Sequence, residues 1–231
     1  MAIVVGIDEA GYGPVLGPLV VTATVFETPD DLAEADLWQV LASGVCAAAP
    51  RRHDRVFIAD SKKVHQGDRK FERLERHVLA TCPLPLPADF ADLAAWLGVG
   101  PDHLAGREPW YADGFPRLPI EAGSEAVTAL RDTFCRTLDT AGLSLRAVIA
   151  RVAQPERFNR LIAETDNKAS ALWRLASELL SEIVDTHRHS AIYATLDKQG
   201  GRTFYVRPLQ VLFPMTGLAV VAQTPEVSRY R

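Results

Sequence analysis

Gly6-Ile7-Asp8-Glu9-Ala10-Gly11-Tyr12-Gly13-Pro14-Val15-Leu16-Gly17-Pro18 is the densest stretch of the chain. A short apolar run, Ile3 to Ile7, leads into it, and a second run rich in Val and Thr, Pro18 to Phe26, leads away. Two strands joined by a tight glycine-containing turn are therefore predicted, with the adjacent carboxylates Asp8 and Glu9 at the end of the first. Like charges so close raise each other's pKa, and the usual compensation is a divalent cation held by oxygen ligands. The glycines let backbone and a phosphate approach closely. For an Asp-Glu pair alone a solvated turn is the plain alternative, so the flanking pattern decides.

Working outward, helix and strand patterns alternate. Asp30 to Val45 has the spacing of an amphipathic helix, with Leu32, Leu37, Val40 and Leu41 apolar and an acidic first turn. Arg69 to Leu79 reads as another. Residues 83–121 are dense in Pro, Gly and isolated aromatics (Trp96, Trp110, Tyr111) and read as an insertion with at most one short helix around Ala88 to Leu97. Ser124 to Leu138 repeats Val127, Leu130, Phe134 and Leu138 on one side, with Gly142 as its stop, and Leu145 to Val152 alternates like a strand. The longest stripe runs from Asp166 to Val184, where Ala169, Leu172, Trp173, Ala176, Leu179, Leu180, Ile183 and Val184 recur at helical spacing behind a cap at Asp166 or Thr165. Ala191 to Leu196 then reads as a buried strand delivering Asp197. This order predicts one α/β domain over residues 1–231, a mixed sheet flanked by helices, with the insertion at about 83–121.

Composition narrows the function classes. A chain of 231 residues, 48% hydrophobic, can bury a sizeable core. It has no run of about eighteen apolar residues and no charged-then-apolar leader, which predicts a cytoplasmic protein without a membrane span or signal peptide. Cys46, Cys82 and Cys135 are odd in number and widely spaced, the pattern of small buried hydrophobes rather than of disulfides or a thiolate metal site. The net charge of -4 opposes gripping nucleic acid with the whole surface. Between Arg51 and Arg76, however, nine Lys or Arg meet five Asp or Glu, a local basic patch. Arg69, Arg73 and Arg76 share a helical face that either lines a duplex backbone or, with Glu72 and Glu75 between them, is simply solvated. His187 and His189 read as a solvated loop around Arg188. Nothing in the sequence points to a protein partner.

The stretch from Gly6 to Pro18 resembles the opening motif of the type 2 ribonucleases H, where an Asp-Glu pair lies in a Gly-Ile-Asp-Glu-Ala-Gly-Arg-Gly-Pro run. Asp60-Ser61-Lys62-Lys63 follows where that family carries an Asp-Ser-Lys-Lys segment. From Val148 the resemblance continues more loosely, through a strand, Pro155-Glu156-Arg157-Phe158-Asn159, a long helix and the strand ending at Asp197. It covers most of the chain and leaves residues 83–121 out.

The resemblance implies a ribonuclease H-like fold and a metal-dependent endonuclease that hydrolyses the RNA strand of an RNA–DNA hybrid duplex. Asp8, Glu9 and Asp197 would hold two Mg²⁺ or Mn²⁺ ions about 3.5–4 Å apart, one activating water and one stabilising the leaving oxygen. All-oxygen ligation suits these ions better than Zn²⁺. Ser61, Lys62 and Lys63 would contact phosphate, and the loop of Gly11, Tyr12 and Gly13 the ribose 2′-hydroxyl at an RNA–DNA junction. Lys198 and Arg202, around Gly200-Gly201, suit another phosphate contact or form a tight basic turn.

Two departures bear on activity. Tyr12 stands where the family has an arginine, and a phenol does not replace a guanidinium fork, which weighs against cleavage at a single embedded ribonucleotide. The family's fourth acidic ligand opens a helix after a further strand. Here the only acidic residue after Asp197 is Glu226, which with Ser228 takes that place. Either the chain is truncated or the site is rebuilt, with Asp60 and Asp166 as other carboxylates in reach. The alternative is a non-catalytic nucleic-acid-binding module on the same fold. A sugar-kinase or actin-type ATPase would need a duplicated second domain, and a P-loop enzyme the Gly-Lys-Ser/Thr ending that Gly11 to Gly17 lacks.

Overall fold

A computed structural model of the chain describes residues 1–10, 17–50, 54–100, 104, 111, 114–199 and 202–231. Gly11, Tyr12, Gly13, Gly200 and Gly201 lie outside the described residues. In β1 (Ala2–Ala10) Ile3, Val5 and Ile7 are buried while Gly6 and Asp8 are exposed. Strand β2 (Leu19–Thr28) buries every second residue through Leu19, Val21, Ala23 and Val25. Such period-two burial belongs to strands with one well-covered face. Gly6 lies against β2, where a Cβ would sit 3.3 Å from Thr24 Oγ1. With β5 (Ser144–Ala153) and β6 (Ile192–Leu196) these strands form a mixed sheet of order β5-β2-β1-β6, flanked by helices. The fold is α/β, as the alternating patterns predict.

The chain forms two compact units. The first comprises Met1–Val4 and Val25–Val148. Its core gathers on α5 (Ser124–Ala141), where Leu130, Phe134 and Leu138 pack with Leu41, Val45, Val56, Ala80 and Leu143. Gly142 ends α5 at φ 69°, a left-handed conformation that glycine adopts at no steric cost. Helix α3 (Lys70–Leu79) packs on α5 and matches its predicted span.

The helix predicted over Asp30 to Val45 is not continuous. It splits into a 3₁₀ turn at Asp30–Leu32, a single turn α1 (Leu37–Val40), and β3 (Val45–Cys46), which pairs in parallel with β4 (Val56–Phe57). The Asp36 carboxylate accepts from Trp38 N and Gln39 Nε2, both at 3.0 Å, and so starts a new helix inside the expected one. At Gly44 a Cβ would meet Thr137 Oγ1 at 2.1 Å, so the chain presses its backbone against α5 there. Leu32, Leu37, Val40 and Leu41 still face the core, which is what their spacing reported.

The predicted insertion holds α4 (Phe90–Trp96), capped by Asp89, whose carboxylate accepts from Asp92 N at 2.9 Å. Its far end is held by buried Glu75 of α3, whose carboxylate accepts from the amides of Ile120, Glu121 and Ala122 at 2.5, 2.8 and 2.8 Å. Cys46 and Cys82 are buried and Cys135 half-buried, all free, and burial raises the first two thiols, that of Cys82 to about 12.

The second unit comprises Val5–Thr24 and Ile149–Arg231. Helix α6 (Pro155–Thr165) packs on α7 (Lys168–Thr186), and α7 buries the stripe Ala171, Leu172, Leu175, Ala176, Leu179, Leu180 and Ile183. The cap predicted at Asp166 or Thr165 is instead Asn167, whose side chain accepts from Ser170 N at 3.1 Å. Thr165 closes α6, and Asp166, at φ 49°, is its left-handed stop. Arg157 binds the Glu178 carboxylate, while Arg151 binds Glu182 and lies 3.9 Å from Glu178, so ion pairs tie β5 and α6 to α7. β6 falls where the sequence places it but is not the buried strand expected: it ends the sheet order, with Tyr193, Ala194 and Thr195 exposed. Beyond it come α8 (Val206–Leu212) and an antiparallel pair, β7 (Val220–Gln223) and β8 (Ser228–Tyr230). Among the described residues no helix is long and apolar enough to cross a membrane.

Candidate functional site

Asp8, Glu9 and Asp197 all belong to the second unit, the first two on β1 and Asp197 just past the end of β6, which neighbours β1 in the sheet order. The period-two pattern of β1 sets their surroundings. Glu9 continues the face of Ile3, Val5 and Ile7 and is half-buried, whereas Asp8 shares the other face with Gly6 and is exposed. Asp8 Oδ1 accepts the amide N–H of Glu9 at 2.8 Å. Asp197, exposed, follows β6 directly.

Burial first, then the charge of Asp8, then that of Asp197, push the Glu9 carboxyl above the usual glutamate value, with a backbone hydrogen bond partly offsetting them. The charge of Asp197, far away in the chain, therefore acts on the Glu9 carboxyl. Such an arrangement concentrates negative charge where part of its hydration is already lost, and it attracts protons or cations. No three His, Cys, Asp or Glu side chains among the described residues are gathered tightly enough to hold a metal ion.

The segment after Asp197 is fastened from several directions. Lys198 Nζ donates to the carbonyls of Thr224 and Pro225, at 2.5 and 2.9 Å, in the turn between β7 and β8. Gln199 N donates to the buried Tyr205 hydroxyl at 2.8 Å, and Tyr205 N donates to the Tyr230 hydroxyl at 2.8 Å. Lys198 thus spends its ammonium on backbone. The phosphate contact expected of it would require breaking those bonds.

Glu226 is exposed in the β7–β8 turn and opens no helix, because the chain goes straight into β8, where Ser228 donates to Thr203 O. Lys198 nonetheless binds the residue before it. Arg202 donates to Ser170 Oγ at 3.3 Å and lies over the Tyr205 ring at 5.8 Å. Ser61, Lys62 and Lys63 form the exposed turn of α2 (Ser61–Val64) in the first unit. Asp60 caps that helix by accepting from Lys62 N at 2.8 Å, which gives its carboxylate a structural role. Arg76, expected on a solvated face or along a duplex, is buried beside Glu72 at 3.2 Å. Gly11, Tyr12 and Gly13 are outside the described residues.

No family model, curated protein or solved structure matches this chain.

Tyr205 and Tyr230 are the residues of this site that sequence reading passed over. The only signal for Tyr205 is its place just beyond the Gly pair that follows Asp197. Tyr230 acts from another strand, and no local pattern reveals such a hydrogen bond.

Proposed function

We propose that this chain has a ribonuclease H-like fold, is related to the type 2 ribonucleases H, and hydrolyses the RNA strand of RNA–DNA hybrids with Mg²⁺ or Mn²⁺. The observation that carries the reading is the raised Glu9 carboxyl, half-buried and loaded by the charges of both Asp8 and Asp197. A solvated turn of Asp and Glu would not include a carboxylate from a different strand. The motif from Gly6 to Pro18 and the Asp60-Ser61-Lys62-Lys63 segment supply the family and the substrate class.

The donor set fits a hard divalent cation in chemistry, being three carboxylates whose mutual repulsion such a cation relieves. Asp8, Glu9 and Asp197 would hold it; Asp8 and Asp197 are exposed, and their side chains can turn among rotamers toward Glu9. When bound, the metal supplies a water of lowered pKa and neutralises charge on phosphate. Glu9 keeps one ligand on a desolvated face, where its charge is least screened. The bonds of Lys198, Gln199 and Tyr205 limit the movement of Asp197. Glu226, in the turn that Lys198 holds, is the acidic residue available to complete the set. Lys62 and Lys63, exposed in the first unit, carry ammonium groups of the kind that suit a phosphate backbone.

The test is cleavage of an end-labelled RNA–DNA hybrid by wild type, Asp8→Asn and Asp197→Asn, with Mg²⁺ or Mn²⁺. Metal-dependent RNA cleavage by wild type alone supports the reading. Intact hybrid, or equal rates in all three proteins, overturns it, and chelator-insensitive binding without cleavage points to the binding module instead.

A further inference from the structure

Two grooves meet at α8 and carry opposite charge. Leu212 helps line one of about 680 Å³, along which α7 presents Glu178, Glu182 and Asp185. Val211 lines the other, of about 440 Å³, with Trp173, Phe204, Arg202 and Arg207. Among the described residues, no carboxylate lines the second groove. Neither arginine makes an ion pair among the described residues.

Arg202 and Trp173 of this groove are held by neighbouring side chains. Arg202 is set by Ser170 Oγ at 3.3 Å and by the Tyr205 ring beneath it at 5.8 Å. The Trp173 and Tyr205 rings lie 5.6 Å apart. Phe204 adjoins the buried Tyr205, whose amide is bound to Tyr230, yet Phe204 itself is 67% exposed. A ring so exposed on an anchored backbone is offered to a flat apolar partner. Two guanidinium groups beside it, without an ion pair among the described residues, are offered to anions. A single nucleic-acid strand combines the two, because each base has a face that stacks and each linkage carries a negative charge.

We infer that the groove of Trp173, Arg202, Phe204, Arg207 and Val211 binds a single strand of nucleic acid, with a base on Phe204 and phosphates on the two arginines. The choice of nucleic acid rests on the nuclease reading, which the groove deepens: Arg202 follows Asp197 closely in the chain, so the strand would be held within the unit that carries the carboxylates. The acidic groove, with Glu178, Glu182 and Asp185, repels the same strand.

The test is fluorescence anisotropy of a fluorescein-labelled oligodeoxythymidylate with wild type, Phe204→Ala, Arg207→Glu and Arg188→Glu. The last makes the same charge change in an exposed turn away from the groove. Loss of stacking or of a phosphate contact should weaken binding roughly tenfold in each groove variant, with less than about twofold change for Arg188→Glu. Wild-type affinity in both groove variants overturns the inference. So does equal weakening by Arg188→Glu, or equal competition by polyglutamate, which would mark a general anion surface. Hybrid cleavage by the same proteins separates the two proposals. Uncleaved hybrid with groove-dependent oligonucleotide binding sinks the nuclease and keeps the groove, while wild-type affinity and a wild-type KM for hybrid in both groove variants sink the groove alone.

Discussion

Replacing Glu75 by alanine removes the acceptor shared by three backbone amides, those of Ile120, Glu121 and Ala122. Ile120 and Glu121 are exposed, so water can replace the carboxylate there, but Ala122 is only 7% exposed and its N–H is left buried without a partner. One stranded buried donor, together with the charge-assisted bonds lost at the other two, amounts to about 3 kcal/mol. For a chain of this size that lowers Tm by roughly 6–12 °C. Glu75→Gln should cost about half as much, because its carbonyl can still serve Glu121 and Ala122 while its NH₂ faces the solvated amide of Ile120. Scanning calorimetry and urea titration of the three proteins measure the effect. A loss below about 1 kcal/mol in Glu75→Ala, or a larger loss in Glu75→Gln than in Glu75→Ala, would refute the reasoning.

Other outcomes follow from the site and the core. Glu9 has a folded-state pKa above its unfolded value, so its ionised form costs stability at pH values above the usual glutamate range, and the cost fades as pH falls through that range. Without metal, Glu9→Gln should therefore melt above wild type at pH 7 and level with it near pH 3; the opposite order at pH 7 contradicts the burial and repulsion assigned to Glu9. Tyr205→Phe removes the hydroxyl that accepts from Gln199 N and should cost about 1 kcal/mol by urea titration while weakening Mn²⁺ affinity through a looser Asp197; unchanged stability and affinity would show that this bond holds nothing in place. The Cys82 thiol, buried and raised to about 12, should resist a thiol-labelling reagent at pH 8 until the protein is unfolded. Labelling of Cys82 at the rate of an exposed cysteine would place it outside the core.

Much of the fold could be read from the chain because burial leaves a period in the sequence. The stripe of α7, the Gly142 stop of α5 and the strand β2 after the glycine-containing stretch all appear as expected. What failed were boundaries and burial. Asp36 starts a helix inside a longer apolar pattern, and the pattern could not report it, because Leu32, Leu37, Val40 and Leu41 face the core either way. β6 reads as buried from its apolar residues, but its position at the end of the sheet order comes from long-range pairing. At the site, Asp8 and Glu9 announce themselves as adjacent carboxylates after an apolar run, and Asp197 by ending another. Lys198 and Tyr205 were not legible in their structural roles, because their partners lie across other elements. The helix expected at Glu226 is a tight turn, since β7 and β8 pair directly across it.

Titration calorimetry with Mn²⁺ on wild type, Asp8→Asn, Glu9→Gln and Asp197→Asn tests the central claim most directly, because it asks whether three carboxylates from two strands act as one cation site. Binding in wild type that each substitution weakens by about tenfold or more, Asp197→Asn included, is the predicted result. Wild type that binds no Mn²⁺ at millimolar concentration, or an Asp197→Asn variant that binds as wild type does, would contradict it.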